Sequence, residues 1–228
     1  MTFLRNLLSL IGILFIVLIY LAYDSYKPLV NVYMQSDAQT KNFIQENIKK
    51  IASIEQSKLE SYVDTMKSFE PKAYDTYVDM FEKLLATGNS AESSIWRYPV
   101  AEGLSVDDVV ETMKFVANER NISHVAFLPL SKDIEAKSGK PHRHVSIYMF
   151  CNSLTAAAML EHNNAYSAFL PCRVTLIEDK EGKLWLYSAN MDMMIYGGKP
   201  LPEELYKKAT NVKDTILDIM KRGSQGEF

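Results

Sequence analysis

The chain has 228 residues, 47% of them apolar and 23% charged, with a formal net charge of −3 and a sequence pI near 5.9. This ordinary globular composition excludes disorder throughout, a collagen-like chain and a disulfide-dense mini-protein, since two cysteines cannot make a framework. An acidic chain without Lys/Arg runs has no electrostatic footprint for nucleic acid, so no nucleic-acid partner is expected.

Leu7 to Tyr23 reads LLSLIGILFIVLIYLAY and holds no charge. This is a transmembrane signal anchor in sequence terms. Its 17 residues lie at the short end of what spans a hydrocarbon core of roughly 30 Å. Phe3, Leu4 and Tyr26 can extend the helix into the interfaces, so residues 3–26 are the expected membrane contact, with Tyr20, Tyr23 and Tyr26 as an aromatic belt. A cleaved signal peptide is the rival reading. The exit Leu-Ala-Tyr-Asp-Ser-Tyr offers no small-x-small cleavage site, and no cysteine follows to accept a lipid. Arg5 and the amino terminus precede the span, whereas Asp24 offsets Lys27 beyond it. The positive-inside bias therefore predicts a cytoplasmic N-terminus, and with it an extracytoplasmic, periplasmic remainder.

From Ser36 to Glu70 there is no Gly or Pro, and apolar residues fall at helical intervals from Phe43 to Phe69. Glu70-Pro71 should break or kink this helix. A second stripe follows, Tyr74, Tyr77, Val78, Phe81, Leu84 and Leu85, ended by Gly88-Asn89-Ser90. The pattern predicts a helical stalk or helix pair. Such a stripe serves either a homodimer or partner protein, or a hairpin that packs on its own domain.

Beyond Ala91-Glu-Ser-Ser94 short strands and helices alternate. Strands are expected over Ile95–Val100, Val125–Leu130, Val145–Cys151, Phe169–Glu178 and Lys183–Asn190, the last two as a hairpin turned by Gly182. Ser105-Val-Asp-Asp108 reads as a capping box for a helix carrying Val106, Val109, Val110, Met113 and Val116. Ser131 to Lys140 is a loop or short helix, and Asn152 or Ser153 caps a helix through Glu161. A last helix starts around Pro202, with Leu205, Ala209, Val212, Ile216 and Ile219 inward. The expected fold class is α+β, a compact antiparallel or mixed sheet covered by helices, with Val109, Ile147, Val174, Leu186 and Ile216 buried together.

Cys151-Asn152 at a strand end, Leu170-Pro171-Cys172 opening the next strand, Glu178 closing it and a further strand to Asn190 together resemble the bacterial family described as domain of unknown function 302. The resemblance runs from about Ile95 to Met220. Ser153 stands where proline is common in the family, and Met191-Asp-Met-Met is unusually rich in methionine. The resemblance implies a compact α+β domain found in free and membrane-linked forms, with no established activity and no catalytic residues to carry over.

His142 and His144 lie one strand period apart, a spacing usable by copper or zinc. Met149, Met191, Met193, Met194, Cys151 and Cys172 add soft donors. The competing reading is a solvated histidine pair with methionines as core filler. His124 and His162 have no evident partners and read as structural. An enzyme would need a nucleophile with a base, a metal constellation or a phosphate cradle, and none of those motifs is present. Cys151 before a helix start is either an activated thiol or a buried, inert one. If the helix after it crosses over to a parallel strand, Cys151 and Cys172 sit at opposite ends of the sheet and stay free thiols. A return to an antiparallel neighbour is the alternative.

The sequence thus predicts an anchor at residues 1–27, a helical stalk at 28–94 and an α+β domain at 95–228. The expected function is a membrane-anchored extracytoplasmic binding or accessory module. The alternative is a redox or copper-handling protein using Cys151, Cys172, His142 and His144.

Overall fold

The computed structural model describes residues 26–228. The anchor read at residues 1–27 falls almost wholly outside them. Among the described residues no helix is long and apolar enough to cross a membrane. The described residues divide into two compact units, one running up to Thr65 and the other from Met66 to Phe228.

In the first unit, residues 26–35 are helical and are followed by α1 (Ala38–Ala52) and the greater part of α2 (Gln56–Lys67). Asp37 caps α1 by accepting the Thr40 backbone N–H at 2.7 Å. The sequence between Ser36 and Glu70 is not one helix. It breaks at Ser53, whose backbone N–H bonds back to the Lys49 and Ile51 carbonyls and whose hydroxyl donates to the Lys50 carbonyl. A serine that satisfies backbone groups locally competes with helix continuation, so neither Gly nor Pro is required. No residue of α1 or α2 is buried.

The second unit takes in the end of α2 and then α3 (Ala73–Thr87). After the short α4 (Ser90–Ser93) come β1 (Ile95–Pro99), α5 (Val106–Glu119), β2 (Ser123–Leu128) and α6 (Leu130–Ser138). Then follow β3 (Val145–Cys151), α7 (Ser153–His162), a 3-10 turn (Asn164–Phe169), β4 (Cys172–Glu178), β5 (Leu184–Ala189), α8 (Asp192–Tyr196) and α9 (Glu203–Gln225). The five strands form one antiparallel sheet in the order β1-β5-β4-β3-β2.

The local reasons are mostly those visible in the sequence. Ser105 and Asp108 close the capping box of α5, and Asn152 caps α7 by accepting the Thr155 N–H at 3.0 Å. Asp179 accepts the N–H groups of Glu181 and Lys183, and Gly182 takes φ +81°, turning the β4–β5 hairpin. Pro129 cuts β2 short of Leu130, and α6 closes on Gly139 at φ +67°. The 3-10 turn and Pro171, which has no N–H to give a ladder, delay β4 to Cys172.

Helices α5 and α9 lie on one face of the sheet. Val109, Met113 and Val116 of α5 and Ile216, Ile219 and Met220 of α9 are fully buried, together with Phe150, Val174, Leu176 and Leu186 from the strands. Ile147 does not join them. The register pairs Tyr148 with Val174 and Ser146 with Leu176, so the buried face of β3 carries Ser146, Tyr148 and Phe150, while Ile147 points the other way and is only half-buried.

Candidate functional site

Two places in the second unit carry chemistry or unmatched surface. The first is the end of the sheet where β3 finishes and β4 begins. The connection through α7 returns the chain to an antiparallel neighbour, with Phe150 opposite Cys172. Cys151 and Cys172 therefore sit at the same end of the sheet, which corrects the crossover expectation; both are free thiols. They line one small cavity of about 40 Å³ together with Met159, Met191 and Met194, and its walls are almost entirely apolar. Desolvation, with Cys151 close by, pushes the Cys172 thiol from its usual 9.0 up to about 11.

That shift opposes thiolate chemistry at neutral pH and makes a testable statement. The neutral thiol is the form favoured by folding, so its stabilisation is complete below about pH 9 and is lost as the pH climbs through about 11. Alkylation of native Cys172 at pH 8 is expected to run roughly 100-fold slower than in the denatured chain. Equal rates, followed by mass spectrometry of the labelled peptides, would place the thiol in solvent.

The histidine pair lies elsewhere. His142 and His144 precede β3, seven residues of extended chain or about 23 Å from Cys151. Their rings also have separate engagements. His142 Nδ1 lies 2.8 Å from the Arg143 carbonyl, and His144 Nε2 lies 2.8 Å from Ser146 Oγ, which in turn donates to the Tyr148 hydroxyl at 3.3 Å. Their backbone N–H groups go to the Glu135 and Glu178 carboxylates. Burial lowers the His144 pKa, with the Glu178 charge opposing it. The set Cys151, Cys172, His142 and His144 is therefore not one site, and among the described residues no group of three or more His, Cys, Asp or Glu is placed to hold a metal ion. His124 stacks near Tyr148 and Phe150, and His162 near Tyr166.

The second place is α3. One side of this helix faces its own domain: Ala73 is 3% exposed, the Tyr77 hydroxyl donates to the Gly197 carbonyl at 2.7 Å, and the Glu70 N–H to the Gly198 carbonyl at 2.7 Å. A second stripe, Tyr74, Val78, Phe81 and Leu85, is spaced four, three and four residues apart, the interval that aligns side chains along one helical face. Tyr74 is 74% exposed, Phe81 60% and Leu85 68%. With Met66 and Phe69 they line an open groove of about 950 Å³, whose only charged lining groups are Glu70 and Glu82. The sequence shows the apolar positions of α3 but not their division between a packed and a free stripe, which depends on where α8 lies.

A five-stranded antiparallel sheet with two long helices on one face, and a further helix whose apolar stripe is left partly uncovered, defines an α+β domain. The chain belongs to the family of the Domain of unknown function DUF302, whose model matches residues 96–223. Among solved structures it is similar to the uncharacterized conserved protein DUF302 from Bacillus stearothermophilus, at 15% identity and a TM-score of 0.46 over 56% of this chain and 96% of that one. No curated protein matches the chain.

Proposed function

We propose that the chain is a membrane-anchored, extracytoplasmic binding module whose docking surface is the free stripe of α3. The anchor and address rest on the uncharged run Leu7–Tyr23 and the charges around it. The observation that carries the binding reading is the exposure of Tyr74, Phe81 and Leu85 along one face of a helix whose other side is already packed. Contiguous aromatic surface of this kind marks an interaction site. The occupant is a partner protein's amphipathic helix with basic flanks. A heptad-like seam accepts a helix, and Glu70 and Glu82, the two charged groups lining the groove, favour Lys and Arg flanks over a second copy of the same groove or an anionic bilayer.

The test uses the full chain in nanodiscs and two fluorescent peptides of about 18 residues with the same leucine seam, one with Lys flanks and one with Glu flanks. The Lys-flanked peptide is expected to bind with a Kd of about micromolar order, at least about tenfold tighter than the Glu-flanked one and than either to Phe81→Glu. Equal affinities, or binding indifferent to Phe81→Glu, contradict the proposal. A concentration-dependent dimer abolished by Phe81→Glu, without peptide binding, assigns the face to a second copy and also overturns it.

A further inference from the structure

The cavity between α7, β4 and α8 is lined by five sulfur-bearing side chains drawn from separate stretches of the chain, Cys151, Met159, Cys172, Met191 and Met194. Its volume of about 40 Å³ is far below the roughly 300 Å³ at which small-molecule pockets begin. It suits a single ion. Asn152, a polar neighbour at the wall, already accepts the Thr155 N–H through its side-chain oxygen. A second, similarly small cavity shares Phe169, Cys172, Met191 and Met194 as its wall and reaches exposed Arg173 and Ala189. Cys172, Met191 and Met194 thus form a wall common to the two cavities.

We propose that this sulfur cluster is a binding site for a soft monovalent d10 cation of the copper(I) class. Thioether donors select copper(I) over zinc, which takes imidazole, thiolate and carboxylate ligands instead. Charge fits as well. In an apolar cavity the favoured product is neutral, formed when one thiol loses its proton to solvent and the resulting thiolate bonds the cation, so that the two charges cancel while the second thiol and the thioethers bind as neutral donors. The histidine pair takes no part, being at the other end of β3. This site is separate from the α3 face and stands or falls without it.

The probe is copper(I), delivered anaerobically as its acetonitrile complex to the full chain in detergent, with bicinchoninate as chromophoric competitor. One ion per chain is expected, with affinity reduced at least about 100-fold in Cys151→Ser/Cys172→Ser and about tenfold in Met194→Leu, and unchanged in His142→Ala/His144→Ala. A tenfold excess of zinc should not displace it. Because core variants can misfold, native protein supplies a second measurement: one equivalent of copper(I) should protect Cys151 and Cys172 from alkylation. Absence of that protection, binding that survives loss of both thiols, or binding lost with the histidine pair overturns the proposal.

Discussion

Replacing Phe150 by alanine is expected to lower the stability of the residue 66–228 unit by about 3 to 5 kcal/mol, the cost of removing a fully buried aromatic ring and leaving a cavity behind. Phe150 is 0% exposed in the core formed by α5, α9 and the central strands, so little rearrangement can refill its place. Ile147→Ala, three residues earlier on the same strand, should cost less than about half as much, because Ile147 lies on the opposite face. Trp96 and Trp185, the two tryptophans of the chain, lie in β1 and β5 and report unfolding of this unit alone. Equal losses for the two variants in urea titrations would reverse the assignment of faces.

Gly223→Val is the second large effect. A Cβ at position 223 would lie 2.6 Å from Met113 Cγ and 3.5 Å from Leu186 Cδ1, so α9 approaches α5 and β5 as closely as it does only because this helical residue has no side chain. Valine there overpacks a closed core and should cost about 3 kcal/mol. The better helix propensity of a non-glycine residue would return at most about 1 kcal/mol. Gly198→Ala is the control, since an added Cβ meets nothing within 4 Å and the backbone is not in the left-handed region. A Gly223→Val chain as stable as the wild type would show that the α5–α9 contact is looser than described.

What the sequence made legible follows from how local each signal is. The capping box of α5 and the Asp179–Gly182 turn are written in four or five consecutive residues, and the inward positions of α5 and α9 in a period of 3.6. The strand Val145–Cys151 defeated the same reasoning because both of its faces are apolar enough to be buried. Ile147 and Met149 look inward on hydropathy, yet Tyr148 and Phe150 offer more apolar area, and Ser146 can share their face since its hydroxyl is bonded to His144 and Tyr148. The direction of the connection from β3 to β4 is not encoded locally, as 20 residues suffice for a crossover or for a return. The sequence therefore leaves both placements of the cysteines open, and the fold takes the return, which brings them to one end of the sheet. Met149, Met191, Met193 and Met194 are visible in the sequence as soft donors, but only the fold keeps Met191 and Met194, leaves Met149 and Met193 aside and adds Met159, which the sequence reading lacks. On α3 the apolar positions were plain, and the free stripe emerged only once the packed one was known.

The most direct measurement on the proposed docking face is a photo-crosslinking amino acid, benzoylphenylalanine, placed at position 81 of the full chain in the cells that express it. The account predicts one discrete adduct whose mapped crosslink falls in a partner's amphipathic helix with Lys or Arg beside its apolar seam, absent when the probe sits at exposed Lys180 instead. Adducts only with lipid, only with a second copy of this chain, or none at all would contradict it.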